Sequence, residues 1–268
     1  MRTRVLAFAL VAASAVAAVC YSLAHTRDHI LRLYIVHHGR NAFDELVLAF
    51  ECKTGIRVHD THACRTELFD LVSKAGDADV CVTSGQDNIE RFEKAGLSRG
   101  RAVTVAELIP VIEVIKGNPR KIAAVAALAR PGVRVALGAD SGCLGLTASQ
   151  IFSKARVAGL VEHNVVKRVK GEHNVAASVD GKEVDATIVW ASTTLEVAPD
   201  RYDMVPVPVE QTNPDPVGAI ILKGARSISA AEEFVSFLQS DEARKVLRAA
   251  GLLRPLPEAP DARTPASH

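Results

Sequence analysis

Hydrophobic and polar residues along this chain change period repeatedly, and each change marks an element. Residues 31–36 (LRLYIV) read as a strand. Residues 41–51 place Phe43, Leu46, Val47 and Phe50 on one face of an amphipathic helix, which Gly55 stops. Residues 56–59 read as the next strand, and 67–74 as a short helix with Leu68, Leu71 and Val72 inward. Residues 79–83 form a third strand, followed by a helix over 89–95 closed by Gly96. Strand and helix alternating at this spacing predict βαβ units and a parallel sheet.

A second module begins at 111–115, a strand with no helix just before it. The pattern predicts a helix at 122–129, a turn at Pro131-Gly132, a strand at 133–137 and a helix at 146–158. Residues 164–169 read as a strand or loop edge, 175–180 as the start of a helix, and 186–190 as a strand. Prolines keep 204–209 extended. A strong strand at 217–222 and helices at 230–238 and 241–249 follow, the last ended by Gly251. The tail 255–268 is rich in Pro, Ala and Asp, lacks periodicity and is read as disordered. No internal repeat is visible.

Composition narrows the function. The chain has 268 residues, 48% hydrophobic and 24% charged, an ordinary globular balance. Lys plus Arg is 32 against 31 Asp plus Glu, so the net charge of +1 gives no global field for nucleic acid or an anionic membrane. Aromatics at 4% also argue against base-stacking platforms. Five cysteines are too few for a disulfide scaffold.

The first 24 residues have the layout of an export leader: Arg2 and Arg4, then an apolar run over 5–19, shorter than the ~20 residues a spanning helix needs. Three readings stay open: cleavage near Ser22-Leu23-Ala24, lipidation at Cys20, or retention as an anchor helix. Each exports the rest of the chain, which permits disulfides. The expected location is periplasmic or otherwise exported, with or without an N-terminal membrane anchor.

Several blocks together resemble the molybdate-type substrate-binding proteins of ABC importers. They are the strand, loop and helix of 33–50 followed by Lys53-Thr54-Gly55-Ile56-Arg57-Val58, then 66–68 through Ala78-Asp79-Val80-Cys81-Val82-Thr83-Ser84. The loop and helix at 138–152, the strand Val184-Asp185-Ala186-Thr187-Ile188-Val189-Trp190 and the closing 234–252 continue the match, which spans nearly all of 31–252. The resemblance implies an α/β, two-lobed type II periplasmic-binding fold, each lobe a mainly parallel sheet flanked by helices. It implies one lobe from 29–111 and 213–254 and a second from 112–212, joined by crossings near 106–111 and 209–216. It implies hinge closure on a small ligand, no cofactor, a monomer, and the membrane subunits of an ABC importer as partners.

Ligands of parallel α/β sheets meet the C-terminal ends of strands, where helix N-termini offer N–H groups and a partial positive charge suited to an oxyanion. The candidate loops are His37-His38-Gly39-Arg40, His62-Ala63-Cys64-Arg65-Thr66, Thr83-Ser84, Ser141-Gly142-Cys143-Leu144-Gly145 and Trp190-Ala191-Ser192. The expected ligand-binding residues are His37, His38, Cys64, Arg65, Thr66, Ser84, Cys143, Leu144 and Trp190. Three positions depart from the family: His38 stands where a serine is usual, Cys64-Arg65-Thr66 replaces a serine- or glycine-rich loop, and Trp190 replaces an aromatic hydroxyl.

Two chemistries fit these departures. Arg40 and Arg65 supply charged donors to an anion. Alternatively His38, His62, Cys64 and Cys143 hold a soft or borderline metal ion, although His59-x-x-His62-x-Cys64 matches no standard zinc spacing. On an extended strand the adjacent His37 and His38 face opposite ways, so at most one serves as a ligand. The resemblance places Cys64 and Cys143 on opposite lobes, where a disulfide between them would lock the cleft. Cys81, between Val80 and Val82, reads as a core residue. A cysteine-dependent enzyme is a third reading, but no nucleophile elbow, phosphate loop or metalloprotease motif is present and no catalytic residue is expected.

Overall fold

Leu31, Leu33 and Ile35 are fully buried along the first strand, which carries two parallel neighbours and lies one strand in from the edge of a five-stranded sheet. A computed structural model describes residues 30–213 and 215–254. The leader expected at 1–24, Cys20 included, and the tail expected at 255–268 lie outside these residues. The described residues divide into two compact units, one running to Val105 and including Val217–Ala243, the other comprising Ala106–Pro216 and the segment from Arg244.

In the first unit β1 (Leu31–Val36), α1 (Arg40–Thr54), β2 (Val58–Ala63), α2 (Arg65–Ala75), β3 (Val80–Ser84) and α3 (Gln86–Lys94) alternate as expected. β4 (Val103–Glu107) and the later β10 (Pro216–Ile221) complete a sheet of order β2-β1-β3-β10-β4. β1 pairs in parallel with β2 and β3, and β10 runs antiparallel to β3. The buried residues of α1 are Ala42, Phe43, Leu46, Val47 and Phe50, and its C-cap Gly55 takes φ 73°, a left-handed geometry that glycine adopts without strain. Phe50 meets Phe234 edge-on at 5.1 Å, docking α1 on α8 (Ile228–Leu238).

The second unit repeats this plan. β5 (Pro110–Ile115), β6 (Val135–Gly138), β7 (Val165–Val169), β8 (Ala186–Trp190) and β9 (Tyr202–Pro206) form a sheet of order β7-β6-β8-β5-β9. β6 is parallel to β7 and β8, while β5 is antiparallel to β8 and β9. Its helices are α4 (Cys143–Lys154), α5 (Ala158–Glu162), α6 (Glu172–Ala177) and α7 (Ala191–Val197); α9 (Asp241–Ala249) closes the described chain. Ile112, Val135, Ile151, Val161 and Ile188 centre its core.

Four sequence expectations need correction. The second strand ends at Ala63, not residue 59, so His59, Asp60, Thr61 and His62 are paired strand residues opposite Arg32, Leu33, Tyr34 and Ile35. The helix expected at 122–129 is only a 3-10 turn at Val125–Ala129. There the Asn118 side chain bonds both the N–H and the C=O of Ile122, at 2.9 and 2.8 Å, and satisfies the loop backbone without a helix. The helix expected at 146–158 begins at Cys143 and divides into α4 and α5. β4 lies within a stretch read partly as a crossing.

One device recurs at the start of the central strand pair in both sheets. Asp79 donates its N–H to the Arg32 carbonyl at 2.9 Å, and its carboxylate accepts the Arg32 N–H at 2.8 Å and the Arg226 N–H at 2.6 Å. Asp185 likewise donates its N–H to the Arg134 carbonyl at 2.8 Å and accepts the Arg134 N–H at 2.9 Å. The Arg134 guanidinium grips the same carboxylate at 2.7 and 3.1 Å, and Arg120 approaches it at 3.2 Å. Burial opposes ionisation of Asp185, but these hydrogen bonds outweigh it and hold the carboxyl below its usual range.

Glu113 is the contrasting buried acid. It lies fully buried on β5 and accepts one hydrogen bond, from the Thr194 hydroxyl at 2.7 Å, among the described residues. Burial raises its pKa from 4.5 to about 7, against the opposing pull of Thr194 and Arg201.

Two outcomes are expected. Asp79→Ala leaves two backbone N–H groups without their acceptor and costs roughly 3 kcal/mol, read by urea unfolding; a cost below about 1 kcal/mol rejects the bridge as a structural element. For Glu113, the folded state keeps a proton that the unfolded chain releases near pH 4.5. The resulting stabilisation is complete below that value and is lost as pH rises through about 7, a change of roughly 3 kcal/mol. Glu113→Gln should therefore flatten the melting profile between pH 5 and 8 and be the more stable protein at pH 8; parallel profiles contradict this.

Candidate ligand-binding site

In the first unit the C-terminal ends of β1, β2 and β3 lead directly into α1, α2 and α3. Parallel pairing puts these three strand ends, and so the three helix N-termini, on one edge of the sheet. α1 and α3 open at Gly39 and Gly85, which have no side chain to cap the first turn, and α2 opens at Cys64. Partial positive charge from three helix starts therefore converges on that edge.

Arg65 and Thr66 are the first two residues of α2 rather than loop residues. Arg65 is half-buried and Thr66 exposed. A Cβ placed at Gly85 would lie 2.6 Å from Arg65 Nη1, so the guanidinium rests against the backbone where β3 enters α3. Ser84 ends β3 fully buried, with its hydroxyl in no hydrogen bond among the described residues, and Thr83 beside it is the same. A buried hydroxyl can rotate to donate to an incoming oxygen.

His37 and His38 do not face opposite ways. The strand ends at Val36, both residues lie in the turn before α1, and their rings stack at 4.7 Å with 29° between planes. His38 is buried and His37 half-buried. The alternation rule for strands does not apply once the backbone has turned.

His62 is not on a ligand loop. It lies within β2, and its Nε2 stands 3.0 Å from Asp44 Oδ1 on α1 and 3.0 Å from Asp60 Oδ2. His59, three residues earlier, is on the opposite face and exposed. Cys64 is exposed, Cys52 is exposed and Cys81 is buried. Burial alone pushes the Cys81 thiol far up, which leaves it inert as a core residue. Among the described residues no cysteine belongs to a cluster of three or more metal-ligating groups.

In the second unit Cys143 and Leu144 are the first two residues of α4, which opens at Gly142; Cys143 is half-buried and Leu144 buried. Gly138 and Gly145 let the end of β6 press against this first turn: a Cβ on Gly145 would meet the Ala139 carbonyl oxygen at 2.2 Å. Trp190 is buried at the end of β8, immediately before α7. Two residues on, Ser192 is buried with its hydroxyl in no hydrogen bond among the described residues. Ser192 carries the same feature as Ser84 but was named only as part of a loop; a small polar residue just after an apolar strand was the available signal.

A model of bacterial extracellular solute-binding proteins matches residues 31–253. The chain belongs to that family. It is a solute-binding protein of the kind that serves ABC importers. The molybdate-binding protein ModA of Mycobacterium tuberculosis is 26% identical to it over 217 residues, 81% of each chain. The fold is similar to the substrate binding domain assigned to a molybdenum ABC transporter of Clostridium difficile, with TM-score 0.76, 15% identity and coverage of 84% of this chain and 99% of that one. It is also similar to the periplasmic molybdate-binding protein of Azotobacter vinelandii, with TM-score 0.64, 17% identity and coverage of 84% and 100%. The α/β type II periplasmic-binding fold expected from the sequence is thereby established. Among the described residues no helix is long and apolar enough to cross a membrane.

Gly145 gives a direct test of the tight turn. Alanine is the better helix former by ~1 kcal/mol, but its Cβ has no room against Ala139. Gly145→Ala should therefore destabilise the protein by about 1–3 kcal/mol, seen as a lowered melting temperature; an unchanged or raised midpoint contradicts the close approach.

Proposed function

We propose that this is an exported solute-binding protein that captures a small tetrahedral oxyanion, of the molybdate or tungstate class, and delivers it to the membrane subunits of an ABC importer. The observation that carries this reading is the edge of the first sheet, where three helix N-termini, the Arg65 guanidinium and the spare Ser84 hydroxyl come together. Each suits negative charge, and none requires a cofactor. The kinship with molybdate-binding proteins supports the same class. Cys143, Leu144, Trp190 and Ser192 stand at equivalent strand ends of the second unit and are proposed as its contribution to ligand recognition.

Arg65 distinguishes this protein from a neutral hydrogen-bond cage. A charged donor holds a dianion more strongly and discriminates less by oxygen spacing than by charge. A charge-assisted hydrogen bond contributes roughly 1.5–3 kcal/mol, so Arg65→Ala should weaken binding at least tenfold. Isothermal titration with molybdate, tungstate, sulfate and phosphate checks this on the wild type and on the variant, with the melting temperature of the ligand-free variant as control. Binding of none of the four anions rejects the oxyanion class. Equal affinity in a folded Arg65→Ala protein rejects the role of Arg65.

A further inference from the structure

His62, Asp60 and Asp44 form a second constellation, on the flank of the first unit and independent of the oxyanion reading. His62 and Asp60, two apart on β2, share a strand face, and Asp44 comes from α1. The His62 side chain is only 5% exposed, while Asp60 and Asp44 are 33% and 45% exposed. Asp44 and Asp60 open onto a surface cavity of about 330 Å³ that Arg40, Val47, Leu48 and Glu51 also line. Glu51 is engaged, accepting the Val58 N–H at 2.7 Å, and Arg40 reaches the outer oxygen of Asp44 at 3.5 Å.

The geometry around His62 Nε2 is unusual for a proton. Two carboxylate oxygens stand 3.0 Å away, yet neither ring nitrogen makes a hydrogen bond of acceptable angle. A ring N–H points along one line, and neither oxygen lies near enough to that line to accept it. A metal ion on the same line places ligands differently. An ion ~2.0–2.2 Å from an imidazole nitrogen and from carboxylate oxygens holds those ligand atoms roughly 3–3.5 Å apart, each oxygen well off the ring axis. The two N–O separations of 3.0 Å lie at the short end of that range, and the three donor atoms lie within 4.8 Å of one another.

We propose that His62 Nε2, Asp60 and Asp44 bind one divalent first-row transition ion, of the zinc class, with water in its outward positions. Imidazole with two carboxylates suits a borderline ion and balances its charge. The ion would tie the edge strand β2 to α1, with His62 one residue before the strand end that leads to Cys64 and Arg65.

The test uses the full chain stripped with a chelator, then titrated with Zn²⁺ alone and Co²⁺ alone. One equivalent of Zn²⁺ should bind and raise the melting temperature, and Asp60→Asn and Asp44→Asn should each weaken it at least tenfold. These two residues are partly exposed, so the result does not depend on the buried His62→Gln variant folding; that variant, where folded, should lose the site. The Co²⁺ protein should show visible ligand-field bands without the near-ultraviolet thiolate charge-transfer band that a cysteine ligand produces. Absence of stoichiometric binding overturns the site, as does equal binding by Asp60→Asn. A thiolate band removed by Cys64→Ser overturns it in favour of a cysteine site. A His62 ring that titrates with pH but does not respond to either metal shows a proton, not an ion, between the carboxylates. Retained oxyanion binding in Asp60→Asn separates failure here from failure of the proposed transport function.

Discussion

Everything presented at the ligand edge depends on register set at the other end of the sheet. In each unit a buried aspartate at the head of one central strand exchanges two hydrogen bonds with an arginine backbone on its parallel neighbour: Asp79 with Arg32, Asp185 with Arg134. A parallel pair has no hairpin to fix its alignment, and a slip of one residue would turn every side chain to the wrong face. The carboxylate acts as a clamp that accepts the neighbour's N–H in only one alignment. With Asp79 in place, Val80 lies opposite Leu33 and Val82 opposite Ile35. β3 then ends at Ser84, level with Val217 of the antiparallel strand. The positions of Ser84 and Gly85, and so the resting place of Arg65, follow from that clamp.

The clamp also sorts charge along the strands. The buried carboxylates sit at the N-terminal ends of β3 and β8, where Arg32, Arg226, Arg134 and Arg120 provide N–H partners. The C-terminal ends carry helix N-termini, hydroxyls and Arg65 instead. A buried acid near the ligand edge would oppose an anion directly. Glu113, a buried acid whose one hydrogen bond among the described residues comes from the Thr194 hydroxyl, is placed on β5 and is held toward its neutral form. The departure from a small hydroxyl cage at Arg65 fits the same arrangement: a guanidinium brings more positive potential than a serine would.

Much of this was legible in the sequence because burial writes a period into it. Leu31, Leu33 and Ile35, the α1 face of Phe43, Leu46, Val47 and Phe50, and Cys81 as core all follow from patterns that depend on one element alone. The sequence misled where polar residues join an element for reasons outside it. β2 reads Val-His-Asp-Thr-His-Ala, with no apolar alternation, and is a strand because β1 supplies its backbone partners. His37 and His38 were assigned opposite directions by a strand rule that stops at Val36. Arg65, Thr66, Cys143 and Leu144 looked like loop residues because a helix start carries no periodicity until its second turn. Asp79 and Asp185 stood inside the recognised blocks, yet their role as clamps appears only once both strands are seen together.

The edge position of β2 explains why the strand tolerates such a sequence and what the tolerance permits. An edge strand needs partners on one side only, and polar or charged residues there also discourage pairing with another chain. His59 serves that purpose outward. His62 does not, because its side chain turns under α1, where burial without a hydrogen bond is costly for an imidazole. The buried imidazole between two carboxylates, on the strand that delivers Arg65, is the arrangement on which the proposed metal site rests. An ion bound there would place its charge three residues from the arginine proposed to meet the anion, so that the flank and the ligand edge share one strand and one electrostatic field.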